Sequence, residues 1–178
     1  MFKIPELLQN EKRIIVAIDG RCAAGKSTLA DELALKFDGT VIRMDHFFLP
    51  AALRDGERVN LHYERFEAEV IKGLKSGGPF TYQVFNCKTQ CCDEIVPVPY
   101  KRLVIVEGAY SMLPQFEQIY DYKIFADISG QEQIRRIVNR NGPEAYKDFR
   151  DKWIPAEERY LEQYKIKQKC DEIFRNDI

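Results

Sequence analysis

The stretch Gly20-Arg21-Cys22-Ala23-Ala24-Gly25-Lys26-Ser27-Thr28 constrains this chain more than any other. It has the spacing G-x-x-x-x-G-K-[ST] and follows the apolar run Ile14–Ile18 and Asp19. A buried strand before and a helix after is the setting in which such a loop wraps a phosphate. Gly20 and Gly25 let the backbone turn its N–H groups inward, and Ala23 and Ala24 between them add little bulk. Lys26 can reach the β- and γ-phosphates, and the Ser27 hydroxyl can ligate Mg²⁺. A helix that starts near Lys26 and runs through Thr28 aims the positive end of its dipole at the same place. The loop predicts a bound nucleoside triphosphate. It reads phosphates and not the base, so ATP and GTP fit it equally.

The other bulk properties narrow the partners. With 178 residues the chain is expected to form one domain, 1–178, with a sizeable core. A formal net charge of −1 gives no basic footprint for nucleic acid. No stretch is long and apolar enough to span a membrane. Residues 1–10 contain Pro5 and Glu6 and show no signal-peptide core, so the cytoplasm is the expected compartment. Five cysteines, an odd number, point to reduced thiols. Cys87, Cys91 and Cys92 cluster without the C-x₂-C pairs of a zinc site.

Five runs read as strands covered on both faces: Ile14–Ile18, Thr40–Met44, Leu103–Val106, Tyr122–Ile128 and Glu172–Phe174. Helical spacing separates them over Ser27–Phe37, Tyr63–Lys75, Gln131–Asn139 and Pro155–Lys167. The alternation predicts a three-layer α/β fold, a mostly parallel five-stranded sheet with helices on both faces. Residues 76–101 break the rhythm and read as an inserted hairpin-like element on the sheet edge, with Phe80–Phe85 as a short strand.

Open α/β sheets bind ligands at the carboxyl ends of their strands. Asp45 and Glu107 follow the second and third runs, so they reach the same rim as the phosphate loop. Glu107 is the expected Mg²⁺ partner of Ser27. Asp45 is placed to accept the proton of an attacking hydroxyl. Phe47 and Phe48 either wall an acceptor pocket or fill the core. Arg135, Arg136 and Arg140 crowd one helix within a predicted lid at about 130–150, with Arg136 and Arg140 on one face. Guanidinium groups closing over phosphates would stabilise transition-state charge. Asn141-Gly142-Pro143 ends that helix and could hinge it.

These segments resemble the uridine kinase family of P-loop kinases, in the wider group with phosphoribulokinase and pantothenate kinase. The likeness spans nearly the whole chain. Besides the loop, Asp45-His46-Phe47-Phe48 resembles the family's D-x-F-[YF] segment, and Tyr63-Glu64-Arg65-Phe66-Glu67 its P-D-A-F-D helix start. Pro79-Phe80-Thr81-Tyr82 is similar to P-x-Y-[DS], Val106-Glu107-Gly108 to [LV]-E-G, and Ile134–Arg140 to the R-R-[IL]-x-R-D lid. The resemblance implies ATP and Mg²⁺ as cofactors and the 5′-hydroxyl of a pyrimidine ribonucleoside as acceptor. It implies Asp45 as base, with Lys26 and Arg136 on the transferring phosphoryl and Arg135 and Arg140 on the nucleotide. Phe47, Tyr63 and Tyr82 would touch the acceptor. Family members are often homo-oligomers.

Three positions depart from the pattern. Asn86 and Cys87 stand where the family has a base-contacting His, Val59-Asn60-Leu61-His62 where it has a ribose-binding Asp, and Asn141 where the lid ends in Asp. A kinase for another metabolite, such as pantothenate or nicotinamide riboside, therefore stays open. So does a nucleotide-dependent switch, although no guanine-reading N-K-x-D segment is present.

Overall fold

A computed structural model describes residues 2–10, 12–54 and 59–177. Its strands are β1 (Ile14–Gly20), β2 (Thr40–Arg43), β3 (Phe80–Asn86), β4 (Cys91–Val98), β5 (Leu103–Glu107), β6 (Tyr122–Asp127) and β7 (Glu172–Arg175). Five of them form a parallel sheet in the order β2-β5-β1-β6-β7. The central members are Ile- and Val-rich, and every residue of β5 is buried. Two apolar clusters lie on the faces of this sheet. One joins Ile42, Val104 and Val106 to Phe47, Phe66, Phe116 and Tyr82. The other joins Ile14, Val16 and Ile18 to Leu29 and Leu33 of the helix Lys26–Lys36. The predicted three-layer α/β fold is the observed one.

Differences from the sequence expectation are local. β2 stops at Arg43 because Met44–Phe47 tightens into a 3₁₀ turn. Residues 80–98 form an antiparallel hairpin, but it does not join the sheet edge: β3 and β4 pair only with each other among the described residues. The hairpin packs instead through Tyr82 and Val98 into the Phe47 and Phe66 cluster. The helix expected over Pro155–Lys167 is broken, since Lys165 takes a left-handed φ of 52° between Ile154–Gln163 and Ile166–Lys169. That helix also begins earlier. Pro143–Asp148 runs through a π turn at Phe149–Trp153 into Ile154–Gln163.

Candidate active site

The phosphate loop sits between β1 and the helix Lys26–Lys36. Gly20 has φ +129°, and a Cβ there would lie 2.1 Å from the Ala126 carbonyl oxygen on β6. Gly25 has φ +86° at the helix start, where a Cβ would meet the Asn176 amide at 2.5 Å. Both glycines are therefore dictated by backbone shape. The Lys26 ammonium donates to the carbonyls of Gly20 at 2.6 Å and Arg21 at 2.9 Å, which holds it over the loop.

Beneath the loop, Asp19 is fully buried. Its carboxylate accepts from Gly20 N–H (2.7 Å), Met112 N–H (3.0 Å) and the Tyr160 hydroxyl (2.7 Å). Burial pushes the Asp19 carboxyl above its usual range, while Tyr160 and Lys26 work against the shift. Asp19 braces the loop from behind.

One cavity of about 960 Å³ lies above this floor. Ala23, Ala24, Gly25, Lys26, Ser27 and Thr28 line it from the loop side. Asp45 and Glu107 line it from the ends of β2 and β5, as the strand-end rule anticipates. Glu107 is 4% exposed and accepts from the Ser27 hydroxyl at 3.1 Å and from Arg43 at 2.9 Å. Burial raises the Glu107 carboxyl, Arg43 opposes this, and the nearby charge of Asp45 adds to it. No cluster of three or more His, Cys, Asp or Glu able to hold a metal occurs among the described residues. One hydroxyl and one carboxylate on the same point suit Mg²⁺ held mainly by phosphates and water.

The residues expected from the sequence to touch an acceptor do not all line the cavity. Phe47 is 0% exposed and stacks edge-on against Phe66 at 5.2 Å, so of the two ring readings it takes the core one. Tyr82 is 2% exposed, and its hydroxyl pairs with His46 Nδ1 at 3.0 Å. Tyr63 packs against the same core. None of these three lines the cavity; Phe48, the neighbour of Phe47, does. Three further rings join Phe48 there: Tyr110, Phe149 and Trp153. Asn60 and Cys87, two of the departures from the family pattern, also line it.

The helix Gly130–Asn141 divides its arginines between cavity and solvent. Arg136 and Arg140 line the cavity. Arg136 donates to the carbonyls of Ala23 at 3.3 Å and Asn176 at 2.7 Å and pairs with Glu132 at 2.7 Å. It thus straps the helix and the C-terminal tail to the phosphate loop. Arg135 does not line the cavity; its side chain is 60% exposed and pairs with Glu132. Gly142, with φ +84°, separates this helix from the one that begins at Pro143.

Glu157 was not anticipated at all. It is 5% exposed, lines the cavity, and accepts from Cys22 N–H at 2.6 Å.

No family model and no curated protein matches the chain. Solved structures do. A Bacillus stearothermophilus protein provisionally assigned as a uridine kinase superposes with a TM-score of 0.71 at 19% identity, over 97% of this chain and 94% of that one. A Silicibacter sp. TM1040 protein provisionally assigned as a fructose transport system kinase gives 0.72 at 22%, over 93% and 91%. TT1252 from Thermus thermophilus gives 0.52 at 18%, over 94% and 90%. Phosphate loop, strand order and these likenesses agree on one architecture: the chain has the P-loop kinase fold.

Proposed function

We propose that this chain is a small-molecule kinase. It moves the γ-phosphoryl group of ATP to a hydroxyl, and the favoured acceptor is the 5′-hydroxyl of a pyrimidine ribonucleoside. The observation that carries this reading is the shared lining of one cavity by Lys26, Ser27, Asp45 and Glu107. Its size suits a nucleotide and a second small molecule together. Loop amides and Lys26 hold the donor phosphates. Ser27 and Glu107 would hold Mg²⁺, which would neutralise charge between the β- and γ-phosphates. Asp45 takes the acceptor proton as the hydroxyl oxygen bonds to the γ-phosphorus and the bond to the β–γ bridging oxygen breaks, releasing ADP. Arg136 and Arg140 face the charge that spreads over the phosphoryl oxygens.

Support for a ring-bearing acceptor comes from the Phe48, Tyr110, Phe149 and Trp153 side chains in the cavity. A different hydroxyl metabolite is the second reading, favoured by Asn60 and Cys87 at the same wall. ATP consumption against nucleosides, sugars and vitamin-like alcohols decides between them, wild type beside Asp45→Asn. The expected result is acceptor-dependent turnover with uridine or cytidine, reduced about 10²- to 10⁴-fold in Asp45→Asn. Turnover only with another alcohol selects the second reading. Equal turnover in both proteins removes Asp45 from its role. Tight nucleotide binding without turnover on any acceptor points to a switch.

A further inference from the structure

Glu157 lies in the cavity but belongs to none of the motifs that define it. The helix Ile154–Gln163 carries it against the phosphate loop, where its carboxyl oxygen takes the Cys22 N–H at 2.6 Å. Cys22 is the second residue after Gly20, within the stretch whose amides turn toward a phosphate. The next residue, Glu158, pairs with Arg21 at 2.8 Å. Two successive carboxylates thus grip two successive loop residues.

The charged and titratable groups around Glu157 come from every element packed against it. Lys26 from the loop helix attracts its charge, Arg21 of the loop is held more firmly protonated by it, and Asp19 below the loop and Glu158 beside it repel it. Its own charge raises the Cys22 thiol and the Tyr110 phenol. Burial is the largest influence and pushes Glu157 up to about 7. A buried carboxylate and an incoming phosphate would compete for the same amide and the same ammonium. Two adjacent anions in a low-dielectric site resist sharing it while both are ionised.

We propose that Glu157 is a positioning residue that holds the empty phosphate loop in shape through Cys22, and that a nucleotide phosphate entering the loop drives a proton onto its carboxyl. Protonation keeps Glu157 in place as a neutral group. The proposal rests on the loop being the donor site. The pH of the surroundings then tunes donor affinity, independently of the acceptor.

Calorimetric titration of the full chain with Mg²⁺ and ADP tests this, at pH 7 to 8 in buffers of different ionisation enthalpy. Wild type is expected to take up about 0.3 to 1 proton per ADP bound, and its affinity is expected to fall by up to tenfold per pH unit above 7. Glu157→Gln keeps an acceptor for Cys22 N–H and should lose the uptake. The titration of ADP itself is common to both proteins and cancels in the difference. Binding without uptake in wild type, or equal uptake in Glu157→Gln, overturns the proposal and leaves the donor site intact. If Glu157→Gln does not fold, Glu157→Asp replaces it: its shorter carboxyl cannot span to Cys22, so uptake should drop below half, and unchanged uptake overturns the proposal. Failure of wild type to bind ADP or GDP at any pH removes the donor-site reading and this proposal together.

Discussion

Arg43 and Ser27 donate to the same Glu107 oxygen, at 2.9 Å and 3.1 Å. The guanidinium reaches on to Asp31 at 2.7 Å, so it is anchored outside the cavity as well as inside it. Glu107 thus has a positive charge beside it in the folded chain. Among the described residues Arg43 is the cation paired with the buried Glu107 carboxylate, and a buried carboxylate that loses its partner costs free energy.

Arg43→Ala should therefore destabilise the nucleotide-free protein by about 2 kcal/mol, discounted because Arg43 is about a third exposed. For a chain of this length that is a fall of about 4–8 °C in Tm. Mg²⁺ with ADP should recover more of the loss than ADP alone. Thermal melts of both proteins under the three conditions check this, and an equal gain with and without Mg²⁺ counts against Ser27 and Glu107 as the metal's holders.

Asp19→Ala should cost about 3 kcal/mol or more. It strands Tyr160 O–H and the N–H groups of Gly20 and Met112 in a buried site. Asp19→Asn keeps acceptor oxygen and should cost roughly 1 kcal/mol. Urea unfolding of the two variants gives the ordering, and a milder loss in Asp19→Ala would show that the brace is dispensable.

Glu157 sets a pH trend in stability. Its folded carboxyl is raised to about 7, above the ordinary 4.5 of a glutamate. The folded state therefore holds a proton that the unfolded state releases between those two values. Stability falls as pH rises through that window and levels off above 7, by about 1–3 kcal/mol from this group. Glu157→Gln should thus raise Tm more at pH 8 than at pH 5. A uniform shift at both pH values would mean that the carboxyl is not held protonated.

Trp153 is the sole tryptophan of the chain and is 39% exposed at the cavity. Its fluorescence should change on titration with the true acceptor and remain nearly constant with Mg²⁺ and ADP alone. Trp153→Ala should raise the acceptor KM by about tenfold, the order expected for one lost stacking contact. A response to ADP alone would place the ring over the donor base instead.

The contrast between Phe47 and Phe48 shows where sequence reasoning reaches its limit. The sheet was legible because buried parallel strands need unbroken Ile and Val runs, as in Leu103–Glu107. The loop was legible because Gly20 and Gly25 tolerate positive φ where other residues do not. In a 3₁₀ turn, however, neighbouring side chains diverge, and only the surrounding packing decides which one meets the core. Glu157 was hidden for a related reason. In a helix as charged as Ile154–Gln163 a glutamate looks like any solvated residue, and its burial arises from a contact 135 positions away in sequence. Arg135 was misleading in the opposite direction, since crowding in sequence did not put it on the side of Arg136 and Arg140.

Among the described residues, the hairpin β3–β4 shares no ladder with the five-stranded sheet. Its tip carries Cys87 and Gln90 to the cavity, while its base is fixed by side-chain packing. Mutations at that tip can accumulate without disturbing any strand register in the five-stranded sheet. On the proposed reading, such a chain can trade one hydroxyl acceptor for another at the tip while the phosphate loop stays unchanged, and grafting residues 80–98 between relatives is the natural way to redirect it.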